Sequence, residues 1–272
     1  MRILLPPSEA KNPGGRGKSL ARRGLDAARS TDDLAEPRRQ MQLALQRLLD
    51  TDAAAAALLL PDSVAREAIA DNAAVQLSGT LPALQRYAGV VYDGLDLTSL
   101  SPPARRLAAR NVLIFSGLFG VLRGNDPVPN YRVPAKASLP GIGIAATFWR
   151  RHLDLSMPRL LDSELIIDLR SSDYAAMWQP ARTSLVAGRL VAIRVLSPRP
   201  DGSLGVISYP SKYFKGRFAA ALLECRVGGV ISCADELAAT WVTAGGKDAV
   251  VRTVQSGMAL DLITHSAKVV TA

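Results

Sequence analysis

The segment that most constrains the fold of this chain spans residues 115–132 and reads FSGLFGVLRGNDPVPNYR. Gly117 and Gly120 permit close approach of the backbone to its neighbours, and the Gly-Asn-Asp-Pro sequence at 124–127 is a strong turn signal. The turn is predicted to place Arg123 and the terminal arginine of the segment on either side of a reversal. A structural turn between two core pieces explains this pattern, and so does a functional loop held by a rigid scaffold.

The rest of the sequence predicts a fold of the mixed α/β (α+β) class, with a mixed sheet and a helical first third. Short apolar runs predict buried strands at 2–5, 111–115 and 164–169. Alternation from 190 to 209 predicts a hairpin around Pro200-Asp201-Gly202. Helices are predicted at 34–50, 53–60 and 64–74, just after Pro82, and at 145–153, 171–178 and 212–224, with a turn at 93–94.

Length and composition predict one domain covering residues 1–272. The chain is long enough to bury a large core, and no Ser/Gly/Pro-rich linker divides it. The short apolar run after Met1 stops at Pro6-Pro7, so no signal peptide is predicted, and no apolar stretch is long enough to cross a bilayer. We therefore expect a cytoplasmic protein with no membrane partner.

The cysteines and histidines do not suggest a metal site. Cys225 and Cys233 lack CxxC spacing, and we expect them to be core thiols with no disulfide or zinc. His152 and His265 are widely separated, and no cysteine cluster accompanies them. We expect no cofactor and no bound metal.

Positive charge is concentrated in two parts of the chain. Lys plus Arg exceed Asp plus Glu by 33 − 24 = +9; residues 101–160 hold nine basic and two acidic side chains, and residues 182–217 hold seven and one. Such a balance is typical of proteins that bind polyanions or anionic substrates, although solvated arginines in an Arg- and Ala-rich chain give the same composition. The candidate DNA-binding surface consists of Arg105, Arg106, Arg110, Arg150 and Arg151.

Polar residues follow several predicted strands at their carboxyl ends, where α/β proteins collect ligands. The first strand leads to Ser8 and Lys11, and the Gly-rich stretch 12–18 after them is either an anion-binding lid or a disordered surface loop. Residues 171–174 either cap a helix or form an anion site with its amides. Lys212 and Lys215 share one helix face, which is either a solvated face or part of a basic pocket. The predicted pocket comprises Ser8, Lys11, Arg123, Tyr131, Arg132, Ser171, Ser172, Asp173, Tyr174, Lys212 and Lys215.

Five motifs in order carry a family resemblance. They are LLPPSEAK at 4–11, VVYDGL at 90–95, the segment at 115–132, IIDLRSSDY at 166–174 and ISYPSKYFKGRF at 207–218. Together they resemble the signatures of the YaaA peroxide-stress family. The resemblance implies a fold distinctive to that family, a role in surviving peroxide stress and in limiting iron-dependent DNA damage, and DNA binding through a helix-hairpin-helix-like element. No glycine-centred hairpin of that kind is evident in the first half of the sequence.

Two functions of different class remain open from the sequence. In one, the chain binds DNA without sequence specificity through its basic surface, with phosphate contacts setting the affinity. In the other, it is an enzyme that binds an anionic small molecule or nucleotide in the predicted pocket, with a lysine of lowered pKa as nucleophile or base. Acids and hydroxyls at the strand ends favour a pocket, whereas the net charge and the family resemblance favour DNA.

Overall fold

The fold is organised around a mixed sheet whose central strands are parallel. The computed structural model describes residues 1–23, 32–161, 165–181, 183–206, 209–229, 231, 233–254 and 257–264. The strands are β1 (Arg2–Leu5), β2 (Leu81–Pro82), β3 (Val112–Ser116), β4 (Gly120–Arg123), β5 (Pro127–Val128), β6 (Ser138–Leu139), β7 (Gly143–Ile144), β8 (Ile166–Asp168), β9 (Leu190–Pro198), β10 (Leu204–Val206), β11 (Asp248–Val254) and β12 (Gly257–Ile263).

The main sheet has the order β11-β12-β9-β8-β1-β3-β4, with β10 paired to β9. Strands β12, β9, β8, β1 and β3 are parallel, and β4, β10 and β11 are antiparallel additions. Leu4 in β1 lies opposite Leu113 on one side and Asp168 on the other. The prediction of a mixed α/β fold with a mixed sheet is confirmed, and the five parallel strands all end at one edge.

Helices and short 3₁₀ turns surround this sheet in the described part of the chain. The 3₁₀ turns are Asp32–Leu34 and Ala187–Arg189. The helices are α1 (Leu20–Arg23), α2 (Ala35–Leu49), α3 (Ala54–Ala57), α4 (Asp62–Ala73), α5 (Ala83–Arg86), α6 (Val90–Leu95), α7 (Pro102–Asn111), α8 (Ala145–Leu161), α9 (Ser172–Ala175), α10 (Tyr209–Gly228) and α11 (Ala234–Thr243). None of them is long and apolar enough to span a membrane.

Two glycines allow α6 and α10 to cross in backbone contact. A Cβ atom on Gly94 would lie 2.1 Å from the carbonyl oxygen of Tyr213, and one on Gly216 would lie 2.0 Å from that of Val91. The turn predicted at 93–94 is therefore wrong, because both residues are inside α6. The glycine is required by helix packing and not by a reversal of the chain.

The glycines of the 115–132 segment do serve close packing, as the sequence predicts. A Cβ on Gly117 would lie 2.3 Å from the carbonyl oxygen of Val133. Gly120 has φ +75°, and a Cβ there would lie 2.7 Å from the indole ring of Trp149. The Trp149 Nε1 donates to the carbonyl of Gly117 at 2.8 Å. These contacts fix α8 against the β3–β4 hairpin.

The Gly-rich stretch 12–18 is an ordered loop. Buried Arg86 donates to the carbonyl oxygens of Asn12, Gly14 (2.7 Å) and Gly79 (3.1 Å). Gly17 forms an isolated antiparallel bridge with the segment that precedes β2. The alternative of a disordered surface loop is therefore wrong, because a buried guanidinium and backbone pairing hold this segment.

The cysteines differ from their predicted environment. Cys225 in α10 and Cys233 before α11 are both exposed, so the prediction of core thiols is wrong. Within the described ranges, no three His, Cys, Asp or Glu side chains are grouped in a way that could hold a metal ion. His265 lies outside those ranges.

Candidate functional site

A cleft opens where the parallel strands β1 and β8 end side by side. The loops after these strands meet there, and the amino-terminal ends of α6 and α10 reach the same edge of the sheet, enclosing about 670 Å³. This is the usual ligand position in α/β folds, and the volume is in the range of small-molecule sites. The polar lining residues are Ser8, Glu9, Ser171, Ser172, Asp173, Tyr174, Ser211, Lys212 and Lys215.

Two lysines on one face of α10 supply positive charge to the cleft. The Lys215 Nζ donates to the carbonyl oxygens of Leu169 at 3.2 Å and Arg170 at 3.1 Å, in the loop after β8. Burial lowers the pKa of Lys215, and the nearby Asp168 carboxylate opposes this only in part. Lys212, one turn earlier, is exposed beside the cleft. An anion in the cleft would therefore meet one partly buried and one exposed ammonium group.

A buried ion pair supports the loop that carries the serines of the cleft. Arg170 donates to both carboxylate oxygens of Asp168, at 2.9 and 2.7 Å, and to the carbonyl oxygen of Trp178 at 2.9 Å. Its guanidinium lies 4.2 Å from the centroid of the Phe115 ring. Burial alone would raise the pKa of Asp168, but the charge and hydrogen bonds of Arg170 outweigh it and hold that pKa below its usual value. The pair fixes the path of the chain from β8 into α9.

A second cavity of about 160 Å³ adjoins the cleft at Glu9, which lines both. Lys11 lines this cavity, and its Nζ donates to the carbonyl oxygen of Ser8 at 3.0 Å. The same Nζ lies 4.4 Å from the ring centroid of Tyr131 and 5.4 Å from that of Tyr87. Burial lowers the pKa of Lys11 to about 8, despite the attraction of Glu9.

Acidic side chains from α4 and from the loop that follows β1 line the cavity together with Lys11. Glu67 and Asp71 are one helical turn apart and both line it. Burial, together with the charge of Glu67, raises the pKa of Asp71. Asn130 donates to Asp71 Oδ2 at 2.6 Å, and the Arg132 Nε lies 3.3 Å from a carboxylate oxygen of Glu9. The cavity thus combines a lysine, an arginine and three acids in one small space.

Behind Lys11, buried hydroxyl groups form a hydrogen-bonded chain. The Tyr131 hydroxyl lies 2.6 Å from the Tyr87 hydroxyl and 2.7 Å from the Ser116 Oγ, which accepts from the amide of Phe119. Burial raises the pKa of both tyrosines above the usual value, so they are neutral at physiological pH. These hydrogen bonds hold the rings of Tyr87 and Tyr131 against the Lys11 side chain.

The structure divides the predicted pocket residues between these two spaces. The cleft contains Ser8, Ser171, Ser172, Asp173, Tyr174, Lys212 and Lys215. The second cavity contains Lys11, Tyr131 and Arg132. Arg123 is not brought to either one: it pairs with Leu113 near the start of β3 and lines a separate recess with Arg38 and Leu160. The predicted helix from 171 toward Trp178 is only the four-residue α9, so no helix dipole of useful size acts there.

Sequence reasoning missed Glu67, Asp71 and Gly89 as site residues. The two acids have i,i+4 spacing on a predicted helix, but nothing in the sequence places that helix beside Lys11. Gly89 has φ +103°, and a Cβ there would lie 2.9 Å from the Ser8 Oγ. Its position before the VVYDGL motif is the one signal that could have identified it.

The candidate DNA-binding arginines lie on two helices. Arg105, Arg106 and Arg110 are exposed on α7, which packs against α10. Arg150 and Arg151 are exposed on α8, which packs against the 3₁₀ turn before α2, and the Arg150 Nε donates to the carbonyl of Ala176 at 3.0 Å. The five side chains therefore do not form a single helix face.

Helices α6 and α7 are consecutive helices in the half of the chain where no glycine-centred hairpin was evident, and both pack against α10. Residues 96–101 join them, and Asp96 adopts the left-handed conformation with φ 39°. The amide and hydroxyl of Ser101, the N-cap of α7, donate to the carboxylate of Glu224 at 2.6 and 2.7 Å. A DNA phosphate at this helix start would meet a carboxylate that already occupies these donors.

Comparison with known proteins agrees with the motifs. A sequence model of the family described as peroxide stress protein YaaA matches residues 1–239. The chain belongs to the YaaA family. The match covers all five motifs, the cleft and the second cavity, so the site described above lies within the part of the chain that this family shares.

Relatives of this YaaA-family chain occur in Streptomyces and Corynebacterium species. A UPF0246 protein of Streptomyces coelicolor is 38% identical over 225 residues, which cover 82% of this chain and 83% of the relative. UPF0246 proteins of Corynebacterium glutamicum and Corynebacterium efficiens are each 37% identical, over 228 and 225 residues, covering 82% of this chain and 84% of each relative. The YaaA assignment thus rests on similarity along most of the chain.

Proposed function

We propose that this YaaA-family protein acts in the cytoplasm during peroxide stress by binding a phosphate-bearing small molecule of the nucleotide class in the cleft. The observation that carries the proposal is the convergence of Lys212, Lys215 and the start of α10 at the carboxyl ends of β1 and β8. Ammonium groups and the amides of a helix start are the groups that proteins use to bind phosphate.

The hydrogen-bonding state of Lys215 supports anion binding. An ammonium group has three hydrogens, and the carbonyls of Leu169 and Arg170 accept two of them. The remaining donor can serve a ligand in the cleft. Because burial disfavours the charged lysine, a bound phosphate would restore its pKa and gain a charge-assisted hydrogen bond in a partly desolvated place.

The lining of the cleft favours a molecule with more than a phosphate group. Ser8, Ser171 and Ser172 offer hydroxyls, whereas Glu9 and Asp173 offer acceptors that would repel a bare polyanion. A nucleotide carries phosphate, sugar hydroxyls and base donors, and so matches this mixture better than a DNA backbone does. The volume of about 670 Å³ is sufficient for such a molecule.

The test is calorimetric titration of the full chain with ATP, AMP and inorganic phosphate. Lys215→Gln should weaken ATP binding about 10-fold or more, because it removes a charge-assisted hydrogen bond. Lys247→Gln removes one positive charge from an exposed position outside the cleft and should leave the affinity unchanged. Equal binding by wild type and Lys215→Gln, or binding of none of the three compounds, would contradict the proposal.

A second candidate function is DNA binding that limits oxidative DNA damage, and the exposed arginines of α7 favour it. Arg105, Arg106 and Arg110 lie within six consecutive residues of one helix and can contact phosphates of a duplex. The binding would be independent of sequence and of the cleft. Fluorescence anisotropy with labelled duplex and branched DNA should detect it at low salt, and the Arg105→Ala/Arg106→Ala double variant should weaken it; no binding at low salt would exclude it.

A further inference from the structure

The small cavity beside the cleft places one amine in surroundings that differ from those of a surface lysine. The Lys11 Nζ is held by the carbonyl oxygens of Ser8 and Glu9, at 3.0 and 3.4 Å, and lies against the rings of Tyr131 and Tyr87. These contacts restrict the amine to one position at the cavity wall. A desolvated lysine amine beside a cavity is the arrangement that imine-forming lysines use.

Charged groups from several elements surround this amine. Glu9 from the β1 loop and Asp71 from α4 favour its protonated form, while Arg132 and Arg86 disfavour it. Glu67 raises the pKa of Asp71 in addition to burial. With burial as the largest influence, the pKa of Lys11 falls to about 8, so a sizeable fraction of the amine is neutral near physiological pH.

We infer that Lys11 is a nucleophilic amine that forms an imine with a small aldehyde or ketone entering this cavity, with Asp71 as the proton carrier. The inference goes beyond the proposed function, because it concerns covalent chemistry in a separate space. Asp71 lines the same cavity as Lys11, so its carboxylate can take up the proton that the Lys11 ammonium group releases and later donate it to the leaving hydroxyl.

The chemistry is balanced without a further reactant. The lone pair of the neutral amine forms a C–N bond with the carbonyl carbon, the C=O π pair moves to the oxygen, and a proton passes from nitrogen to that oxygen. The Asp71 carboxyl then protonates the hydroxyl, which leaves as water while the nitrogen lone pair forms C=N. The remaining nitrogen proton returns to the Asp71 carboxylate. The sum is amine plus carbonyl compound giving imine plus water.

Size and charge restrict the carbonyl compound. The cavity of about 160 Å³ equals roughly five water volumes at about 30 Å³ each, so it admits a compound of a few carbons. Arg132 lines the wall but is paired with Glu9, and Glu67 and Asp71 add further negative charge, so an uncharged compound is favoured. Glyceraldehyde is small and uncharged and is a suitable probe.

The experiment treats the full-length protein with glyceraldehyde and cyanoborohydride, then maps the reduced adduct by peptide mass spectrometry. We expect the Lys11 peptide to be labelled about 10-fold faster than the peptide of Lys18, an exposed lysine in the neighbouring loop. The rate at Lys11 should rise as the pH passes about 8, because the neutral amine is the reactive form.

Matched variants separate the roles of the two residues. Lys11→Arg keeps the charge but removes the nucleophile and should abolish that adduct, whereas Lys18→Arg should leave it unchanged. Asp71→Asn should slow labelling at pH 7 several-fold, because the proton carrier is lost. Labelling spread evenly over exposed lysines, or absent from Lys11 in the wild-type map, would overturn the inference, and the wild-type map decides this even if a variant fails to fold.

Discussion

Two buried arginines show how single residues shape the site. Arg86 and Arg170 both have buried guanidinium groups, and each is surrounded by backbone carbonyl oxygens. Arg170 also has a carboxylate partner in Asp168, whereas Arg86 donates to four carbonyl oxygens in the described part of the chain. Each arginine therefore holds loops that border the two cavities in place, because a guanidinium can donate to several carbonyls at once.

Replacing Arg86 tests whether its hydrogen bonds hold the 12–18 loop in place. Arg86→Ala should reduce the free energy of unfolding by about 3 kcal/mol, because the carbonyls of residues 12, 14, 79 and 128 lose their donor and the one of residue 128 is buried. Urea unfolding measures this loss, and limited proteolysis should show faster cleavage in the 12–18 loop. Arg66→Ala, an exposed arginine on α4, is the control and should change stability little. An equal loss of stability in the two variants would contradict this role of Arg86.

The Asp168–Arg170 pair predicts a pH dependence. The folded pKa of Asp168 is lowered, so its carboxylate stabilises the fold above the unfolded pKa of about 3.9 and loses that effect as the pH falls through the folded pKa. Asp168→Asn should therefore be less stable than wild type by about 3 kcal/mol at pH 7, and the difference should narrow as the pH falls below about 4. Urea unfolding from pH 7 to pH 3 measures it.

The control for this pH series is Asp62→Asn, which changes an exposed carboxylate at the start of α4. It should stay within about 0.5 kcal/mol of wild type at pH 7. A difference between wild type and Asp168→Asn that remains constant across the pH series would show that the buried carboxylate is not the titrating group.

At the scale of elements, the crossing of α6 and α10 positions the lysines of the cleft. Gly216 lies one residue after Lys215, and its missing side chain lets α10 approach the backbone of α6. Phe214 and Phe218 on the other side of α10 pack edge-on against Trp241, with ring centroids 6.1 and 6.0 Å apart. The helix is held on both sides, which fixes the direction in which its lysines point.

Adding a methyl group at this crossing should displace α10. Gly216→Ala would place its Cβ 2.0 Å from the carbonyl oxygen of Val91, so we expect a loss of about 3 kcal/mol in unfolding free energy and weaker ATP binding. Gly228→Ala, in the same helix, has no atom within 4 Å of the added Cβ and should leave both quantities nearly unchanged. Equal stability of the two variants would show that the helices can separate without cost.

Much of the site could be predicted from the sequence, because the carboxyl ends of parallel strands meet. That rule placed Ser8 and Ser171 near one another from local patterns alone, whereas Lys215 follows the antiparallel strand β10 and reaches the cleft through the packing of α10. The docking of α4 could not be predicted, since the position of Asp71 beside Lys11 depends on long-range packing. Gly94 was misinterpreted for a related reason: a glycine needed for helix contact and a glycine needed for a turn look alike until the partner helix is known.

For the whole molecule, net charge and site chemistry favour different ligands. The chain has a formal charge of +9, but the cleft and the small cavity mix lysines and arginines with carboxylates. The excess charge therefore lies largely on outer surfaces such as that of α7. A polyanion would respond to this outer charge, whereas a small ligand in the cleft would respond to a few oriented groups.

Salt dependence distinguishes these two modes of binding in one protein. Duplex DNA affinity should fall steeply between 50 and 200 mM salt, because phosphate contacts release counterions, and the Arg105→Ala/Arg106→Ala variant should reduce the logarithmic slope by about 2. ATP affinity should be less sensitive to salt, because its phosphate would bind partly buried donors. Anisotropy and calorimetry over the same salt series measure both. If the arginine variant leaves the salt slope of DNA binding unchanged, the surface of α7 does not contact the phosphates. If Lys215→Gln weakens DNA binding as much as ATP binding, the DNA binds in the cleft itself.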